Sequence, residues 1–247
     1  MAQPDIYLSV VIPAYNESER IEKTLRRFNE YFFPQPYAYE IVVVNDGSRD
    51  KTADVVARLS GEIKNLRLID RRENKGKGYA VREGMRASRG RIRLFADADN
   101  ATDIAHFEKM RPLFDQGYEV VVASRDPKDA PGARQAVSQP WWKRALGMLG
   151  NWYIRRCAVP GIWDTQCGFK AFRGYAADRL FGIARVDRWA FDVEILALAR
   201  RLNFKIGIIP AYWINDPKTH VTWSGYLKSL WEVFKIYRNL KYHRYQI

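Results

Sequence analysis

Sulfur is scarce in this sequence. Among 247 residues there are two cysteines, Cys157 and Cys167, set in aromatic or basic surroundings with neither a CxxC pair nor metal-ligand spacing. That argues against a disulfide framework and makes a reducing, cytoplasmic setting the default expectation. Long apolar runs are missing too. No window approaches the roughly 18 uninterrupted apolar residues of a membrane span, so the chain is not expected to cross a bilayer. Near the N-terminus, Asp5 and the short run from Leu8 to Ile12 lead straight into a motif, which is not the charged-then-apolar pattern of a signal peptide. Acidic residues are outnumbered, 28 against 41 Lys and Arg, for a formal charge of +13. Such a surface prefers anionic partners, whether nucleic acid, acidic lipid headgroups or phosphorylated substrates, and charge alone does not choose among them. There is no internal repeat and no low-complexity tract. An apolar fraction of 47% excludes disorder across most of the chain.

What is present alternates. Leu8 to Pro13, Ile41 to Val44, Leu66 to Ile69, Ile92 to Ala96 and Val120 to Ala123 are short apolar runs that suit strands buried on both faces. Between them the spacing predicts helices over Ser18–Phe32, Thr52–Leu59 and Gly78–Ser88. This pattern implies βαβ units, hence one α/β domain with a mostly parallel sheet flanked by helices. Ligands of such sheets sit beyond the carboxyl ends of the strands, which gathers the loops Tyr15–Glu17, Asn45–Ser48, Asn74–Gly78 and Asp97–Asp103. After Ala123 the alternation stops. Arg125 to Gln139 reads as a loop rich in Pro, Gly and charge. Helices are expected over Trp141–Ala158, Phe191–Leu202 and Thr222–Lys241, with strands near Ile206–Ile209 and Tyr212–Ile214.

Asp97-Ala98-Asp99 at a strand end carries the strongest chemistry. Two carboxylates on alternate residues offer oxygen ligands to Mg²⁺ or Mn²⁺ and leave positions for a diphosphate; the plainer reading is a helix cap or turn, with Thr102 or Asp103 capping the next helix. Asp46, in Asn45-Asp46-Gly47-Ser48, is placed to accept from a base N–H or a ribose hydroxyl, or else belongs to an ordinary turn. Asn74-Lys75-Gly76-Lys77-Gly78 sets two cations ahead of a helix N-terminus, suited to a phosphate or to solvent.

Together with Pro13-Ala14-Tyr15-Asn16-Glu17, these motifs resemble, in order and spacing, the family 2 glycosyltransferases of GT-A fold. Ala123-Ser124-Arg125, Asp164-Thr165-Gln166-Cys167-Gly168-Phe169-Lys170 and Phe191-Asp192-Val193-Glu194 look like the branch of dolichyl-phosphate glucosyltransferases and mannose synthases, with wording closer to the glucosyl members. The match covers roughly residues 8 to 215. It implies an inverting transferase with Pro13, Tyr15, Glu17 and Asp46 around the nucleoside, Lys77 near the nucleotide, and Asp97, Ala98 and Asp99 at the ribose and metal. Asp97 and Asp99 are the implied ligands of a divalent cation, and Arg125 and Arg134 would reach the phosphates. The mannose synthases offer a glutamine where Ala101 stands, so this chain would give a metal fewer protein ligands.

The implied acceptor is a polyprenyl phosphate, the implied donor UDP-glucose, with GDP-mannose second. A phosphate monoester is already anionic near neutral pH and needs no general base. It needs cations, for which Arg125, Arg134 and Lys170 are the candidates. A sugar hydroxyl would need a base, and Asp164 is the residue to expect, with Asp192 and Glu194 behind it; a structural role for Asp164 stands level with that. Residues 1–215 are expected to form the catalytic domain, with nucleotide-sugar binding in 8–125 and the acceptor region in 126–215, and 216–247 to add an amphipathic helix. Trp223, Tyr226, Leu227, Leu230, Phe234 and Tyr237 with Lys228, Lys235, Arg238 and Lys241, and likewise Trp141, Trp142, Leu146, Leu149, Trp152 and Tyr153 with Lys143, Arg144, Arg155 and Arg156, suit helices lying on an anionic membrane surface, or else a core stripe with a solvated face. A nucleic-acid binder would explain the charge but not the paired aspartates, and no nucleic-acid partner is expected.

Overall fold

The computed structural model describes residues 5–135, 150–214 and 223–247. Five strands follow the apolar runs: β1 (Leu8–Ala14), β2 (Tyr39–Asp46), β3 (Leu66–Arg71), β4 (Ile92–Ala96) and β5 (Val120–Ser124). Helices α1 (Ile21–Phe32), α2 (Thr52–Ser60), α3 (Lys77–Ala87) and α4 (Phe107–Asp115) connect them. Helix α1 begins three residues later than its apolar spacing suggests, because Glu17 to Arg20 first form a turn in which the backbone N–H groups of Arg20 and Ile21 donate to Glu17 O.

The second half holds the short β6 (Arg134–Gln135), the helical residues 150–157 (α5), β7 (Phe169–Arg173), α6 (Gly174–Ile183), α7 (Phe191–Arg201), β8 (Ile206–Pro210), β9 (Tyr212–Trp213) and α8 (Trp223–Lys241). The main sheet runs β3-β2-β1-β4-β7-β5-β8. All its pairings are parallel except those of β7, which runs antiparallel between β4 and β5. The sequence gives no plain signal for β7, since a lysine interrupts its apolar run. The consequence is large: the loop that enters β7, residues 164–168, lies at the same edge as the loop that leaves β4.

Alternate strand residues feed two cores. Val10, Ile12, Ile41, Val43, Leu94 and Val121 face α1, α2 and α4, while Val11, Val42, Val44, Phe95, Val120 and Val122 face α3, α6 and α7. Helix α8 belongs to the second core through Val233 and Ile236, both fully buried. Of the helix expected over Trp141–Ala158, the part carrying Trp141, Trp142, Lys143, Arg144, Leu146 and Leu149 lies outside the described residues, as do the side chains of Trp223, Tyr226 and Leu227. No helix among the described residues is long and apolar enough to cross a membrane.

Helix α3 sits so close to the sheet that a Cβ on Gly84 would fall 2.3 Å from Val11 Cγ1 and 3.0 Å from Val44 Cγ2. Overpacking costs about 1–3 kcal/mol, and alanine recovers at most about 1 kcal/mol of helix propensity. Gly84→Ala is therefore expected to lower the urea midpoint of unfolding with an unchanged m-value.

Candidate active site

The four loops meet at the carboxyl edge of β1, β2 and β4, stitched by side chains that accept from backbone. Asn16 N–H donates to Ser48 Oγ at 2.9 Å, Glu17 N–H to Thr52 Oγ1 at 2.8 Å, and Arg49 N–H to Asn16 Oδ1 at 2.8 Å. Asn16 has φ of 55°, a left-handed conformation that asparagine tolerates. Pro13 is buried in β1, while Tyr15 stands 40% exposed at its end and is free to stack on a ring. The Glu17 carboxylate is held by Arg20, Nη2 to Oε2 being 2.6 Å.

Asp46 does not present an open carboxylate. Its Oδ1 and Oδ2 accept from the backbone N–H groups of Lys75 and Gly76 at 2.9 and 2.8 Å, and burial pushes its pKa up. Both oxygens thus clamp the glycine-rich loop. That loop is threaded tightly: a Cβ on Gly76 would lie 2.5 Å from Asp187 O, and one on Gly78 2.6 Å from Phe191 Cβ. Its glycines serve this close passage. What the loop delivers is Lys77, whose Nζ lies 2.6 Å from Asp97 Oδ1 and 5.4 and 5.9 Å from the ring centroids of Phe95 and Trp189. Burial alone would lower the pKa of this ammonium, but Asp97 and Asp192 outweigh it and hold it raised.

The two aspartates differ. Asp97 N–H donates to Gly168 O at 3.1 Å, and its carboxylate lies so close to Gly168 that a Cβ there would meet Oδ2 at 1.8 Å. The Lys77 contact is an ion pair without hydrogen-bond angles, since Asp97 Oδ1 is buried with no hydrogen-bond partner. Asp99 Oδ1 accepts from Ala101 N–H at 3.0 Å; burial first, and then the negative charge of Asp97, raise its pKa. Ala98, expected at the ribose, is buried, and its carbonyl accepts from Thr24 Oγ1 at 2.7 Å. It anchors the loop to α1. Asp103 does cap the next turn, accepting from Ala105 N–H at 2.8 Å.

Arg125 and Asp164 form a two-pronged pair: Nε to Oδ2 is 2.7 Å, Nη2 to Oδ1 is 2.8 Å, and Arg125 N–H adds a bond of 2.9 Å to Oδ2. Burial would raise the Asp164 pKa, but the Arg125 charge and hydrogen bonds win and hold it below the usual carboxylate range. Bonded in this way and with its pKa held down, Asp164 is placed as a structural partner of Arg125, and a carboxylate so paired is a poor proton acceptor. Lys170 is corrected too. Its Nζ is buried, 2.6 Å from Asp192 Oδ1 and 2.5 Å from Cys167 O, so it is not a cation open to phosphate. Glu194 accepts from the N–H groups of Arg185 and Val186 and from Tyr245 Oη, and it stands away from the chemistry as a structural anchor.

Arg134 is exposed, stacked 4.7 Å from the Tyr212 ring centroid, and makes no ion pair among the described residues. Arg125 lies 5.1 Å from the neighbouring Trp213. Strand β9 thus lines up the two arginines, and its Thr102–Trp213 bridge ties them to the loop after β4. Two contributors escape the motif reading. Asp129 accepts from Ser124 Oγ, Trp163 N–H and Asp164 N–H at 2.7 to 2.8 Å, fastening the Arg125 loop to the Asp164 loop. Trp189 walls Lys77. Neither is marked by a motif; Asp129 sits in a Pro- and Gly-rich run that reads as plain loop.

Residues 9–181 match the model of glycosyl transferase family 2. The chain belongs to that family. The transferase is 36% identical to a Trichomonas vaginalis dolichyl-phosphate beta-glucosyltransferase over 244 residues, 95% of this chain and 74% of the relative. It is likewise 36% identical to the dolichyl-phosphate beta-glucosyltransferase of Homo sapiens, over 90% of this chain and 72% of the relative. Its fold is the GT-A one: mannosyl-3-phosphoglycerate synthase from Rubrobacter xylanophilus superposes with a TM-score of 0.71 at 17% identity, over 98% of this chain and 76% of that one. The Pyrobaculum calidifontis mannosyltransferase PcManGT, solved with GDP-Man and Mn2+, gives 0.58 at 21% identity, over 88% and 60%.

Within the transferase, the Arg125–Asp164 pair has a definite linkage. The folded pKa of Asp164 lies below its reference of 3.8, so its stabilisation is fully present above that value and is lost as pH falls through the folded pKa. Asp164→Asn strands a mostly buried guanidinium and is expected to cost about 3 kcal/mol at pH 7. The urea midpoints of variant and parent should converge below pH 3.8.

Proposed function

We propose that this transferase moves a glucosyl unit from UDP-glucose to a dolichyl-type polyprenyl phosphate, inverting the anomeric carbon, while lying on the cytoplasmic face of a membrane. The observation that carries the acceptor is the state of Asp164. The base that a hydroxyl acceptor would require is locked in a fork with Arg125, and Asp192 is locked on Lys170. A phosphate monoester needs no deprotonation near pH 7, because its second pKa is about 6. It needs its charge held beside a second phosphate, and Arg134, exposed on the Tyr212 ring, supplies that, with Arg125 beside it on β9 already sharing its charge with Asp164. The names of the relatives support both donor sugar and acceptor lipid.

A divalent cation fits the aspartate pair. Asp97 Oδ1 is a buried oxygen with no hydrogen bond, faced by the Lys77 ammonium at 2.6 Å, and burial and the neighbouring Asp97 charge disfavour the ionised form of Asp99; two such carboxylates are oxygen ligands suited to a hard cation. No three His, Cys, Asp or Glu side chains among the described residues converge so as to hold a metal ion by themselves, so Asp97 and Asp99 would share the ion with nucleotide and water. When bound, such an ion neutralises charge on a departing diphosphate. Tyr15, exposed at the end of β1, would offer its ring to the base, near the Glu17 carboxylate that Arg20 holds.

Helix α8 provides the membrane face. It buries Val233 and Ile236 and leaves Trp231, Phe234 and Tyr237 between 38% and 55% exposed, interleaved with Lys228, Lys235 and Lys241. Exposed rings beside lysines suit a headgroup layer with anionic lipid.

Transfer should be seen from UDP-glucose to polyprenyl phosphate, with none from GDP-mannose or to sugar hydroxyls, and EDTA should stop it. Asp164→Asn should turn over more slowly yet measurably; loss of nearly all activity in folded protein would restore Asp164 as a base and overturn the phosphate acceptor. Sedimentation with phosphatidylserine vesicles should be salt-sensitive and fall sharply in Trp231→Ser/Lys235→Glu. Equal binding by parent and variant would remove α8 from the membrane.

A further inference from the structure

Lys77 stands where a metal would have to come. Its ammonium is 2.6 Å from Asp97 Oδ1, the oxygen that has no hydrogen-bond partner. Its Cα is fixed as the first residue of α3, whose entry is set by the Asp46 clamp and the close passage of Gly76 and Gly78. The rings of Phe95 and Trp189 flank the ammonium. A divalent cation bonded to the same oxygen at about 2.0–2.6 Å would sit against this positive charge, and the two cannot share Oδ1 without strong repulsion.

We propose that Lys77 is a tethered counter-cation that occupies Asp97 until the donor diphosphate arrives, so that divalent cation and nucleotide bind as a coupled pair and not independently. It rests on the metal and nucleotide-sugar reading given above and adds the order of events at Asp97. Charge within the cluster supports it. Asp97, Asp99 and Asp192 face Lys77 and Lys170, three carboxylates against two ammoniums, leaving one net negative charge. The neighbouring cations are already matched, Arg20 by Glu17 and Arg125 by Asp164. A divalent cation alone would turn the cluster net positive. A displaced Lys77 would be left with Asp192, whose Oδ1 already holds Lys170 at 2.6 Å, and with Asp99, which the same metal would engage. The diphosphate changes both conditions: it brings negative charge for the metal and a new partner for Lys77. Displacement then delivers the ammonium to the phosphate oxygens over a tether too short to lose it.

The test is Mn²⁺ affinity, read from the electron paramagnetic resonance signal of free Mn²⁺ with and without UDP. It is made on the whole chain and on Lys77→Met, Lys77→Gln and Lys77→Arg, with cooperative thermal unfolding as the check of fold. In the parent, UDP should tighten Mn²⁺ binding by about 10- to 100-fold. Either neutral variant should bind Mn²⁺ alone at least about tenfold tighter than the parent, and the UDP effect should collapse by a similar factor. Lys77→Arg, which keeps the charge, should keep weak binding of Mn²⁺ alone. Neutral variants that hold Mn²⁺ alone as weakly as the parent, with UDP coupling intact, overturn the counter-cation role and leave the donor reading standing. A parent that shows no UDP-dependent Mn²⁺ binding overturns the donor reading, and this inference with it.

Discussion

Buried charge has to be matched where it stands, and the carboxyl edge of this sheet is organised around that constraint. Lys170 and Asp192 are both nearly inaccessible and 2.6 Å apart. Either alone would carry a desolvation cost of several kcal/mol. Around that pair the signs alternate outward: Asp97 with Lys77 on one side, Asp164 with Arg125 on the other. Removing one member leaves the next unmatched, so these residues behave as one unit, and their individual energies do not add. Cys167 lies among them, and burial pushes its thiol up to about 11, which keeps it neutral and chemically quiet.

The topology makes this alternation possible. A purely parallel sheet would send the chain back to the far edge before each new strand. Because β7 enters antiparallel, its first residue, Phe169, pairs with Ala96 at the end of β4. Residues 164–168 therefore meet Asp97 directly, through Gly168 O, and Lys170 lies beside Phe95 in register. Gly168 is small because the Asp97 carboxylate occupies the space a side chain would take.

The alternating first half was legible because each strand is an uninterrupted apolar run closed by a turn residue. Val10-Val11-Ile12 and Ile41 to Val44 admit few other readings, and they set the edge at which the motifs gather. Strand β7 was not legible. Phe169-Lys170-Ala171-Phe172 contains a lysine that reads as a surface charge until its buried partner, 22 residues further on, is known. The same limit applied to the site. Asp97, Asp99 and Lys77 were gathered by the strand–helix alternation and Arg125 by the family resemblance, but neither tells whether a carboxylate faces a ligand or a backbone amide. Asp46 and Asp164 look as functional as Asp99 on paper; the structure commits the oxygens of the first to Lys75 and Gly76, and those of the second to Arg125. Asp129 was invisible because its partners, Trp163 and Asp164, are 34 and 35 residues away.

The C-terminal helix takes part in the same network of contacts and is not merely attached. Glu232 of α8 accepts from Ala190 N–H at 3.0 Å, and Tyr245 donates to Glu194 at 2.6 Å. Glu194 in turn accepts from Arg185 and Val186. These bonds fix both ends of the segment from Arg185 to Ala190, the segment whose carbonyls at Asp187 and Arg188 receive the N–H groups of Tyr79 and Gly78 at the start of α3. It also carries Trp189 against Lys77. The helix with the exposed aromatic and basic face therefore braces the wall of the loop that aims Lys77 at Asp97. A rigid-body shift of α8 either breaks the Glu232 bond to Ala190 or moves that wall, and the Tyr245 bond holds the residues just after the helix to Glu194. The outer surface of α8 and the charge cluster are joined by hydrogen bonds at every step but the last, where an indole faces an ammonium.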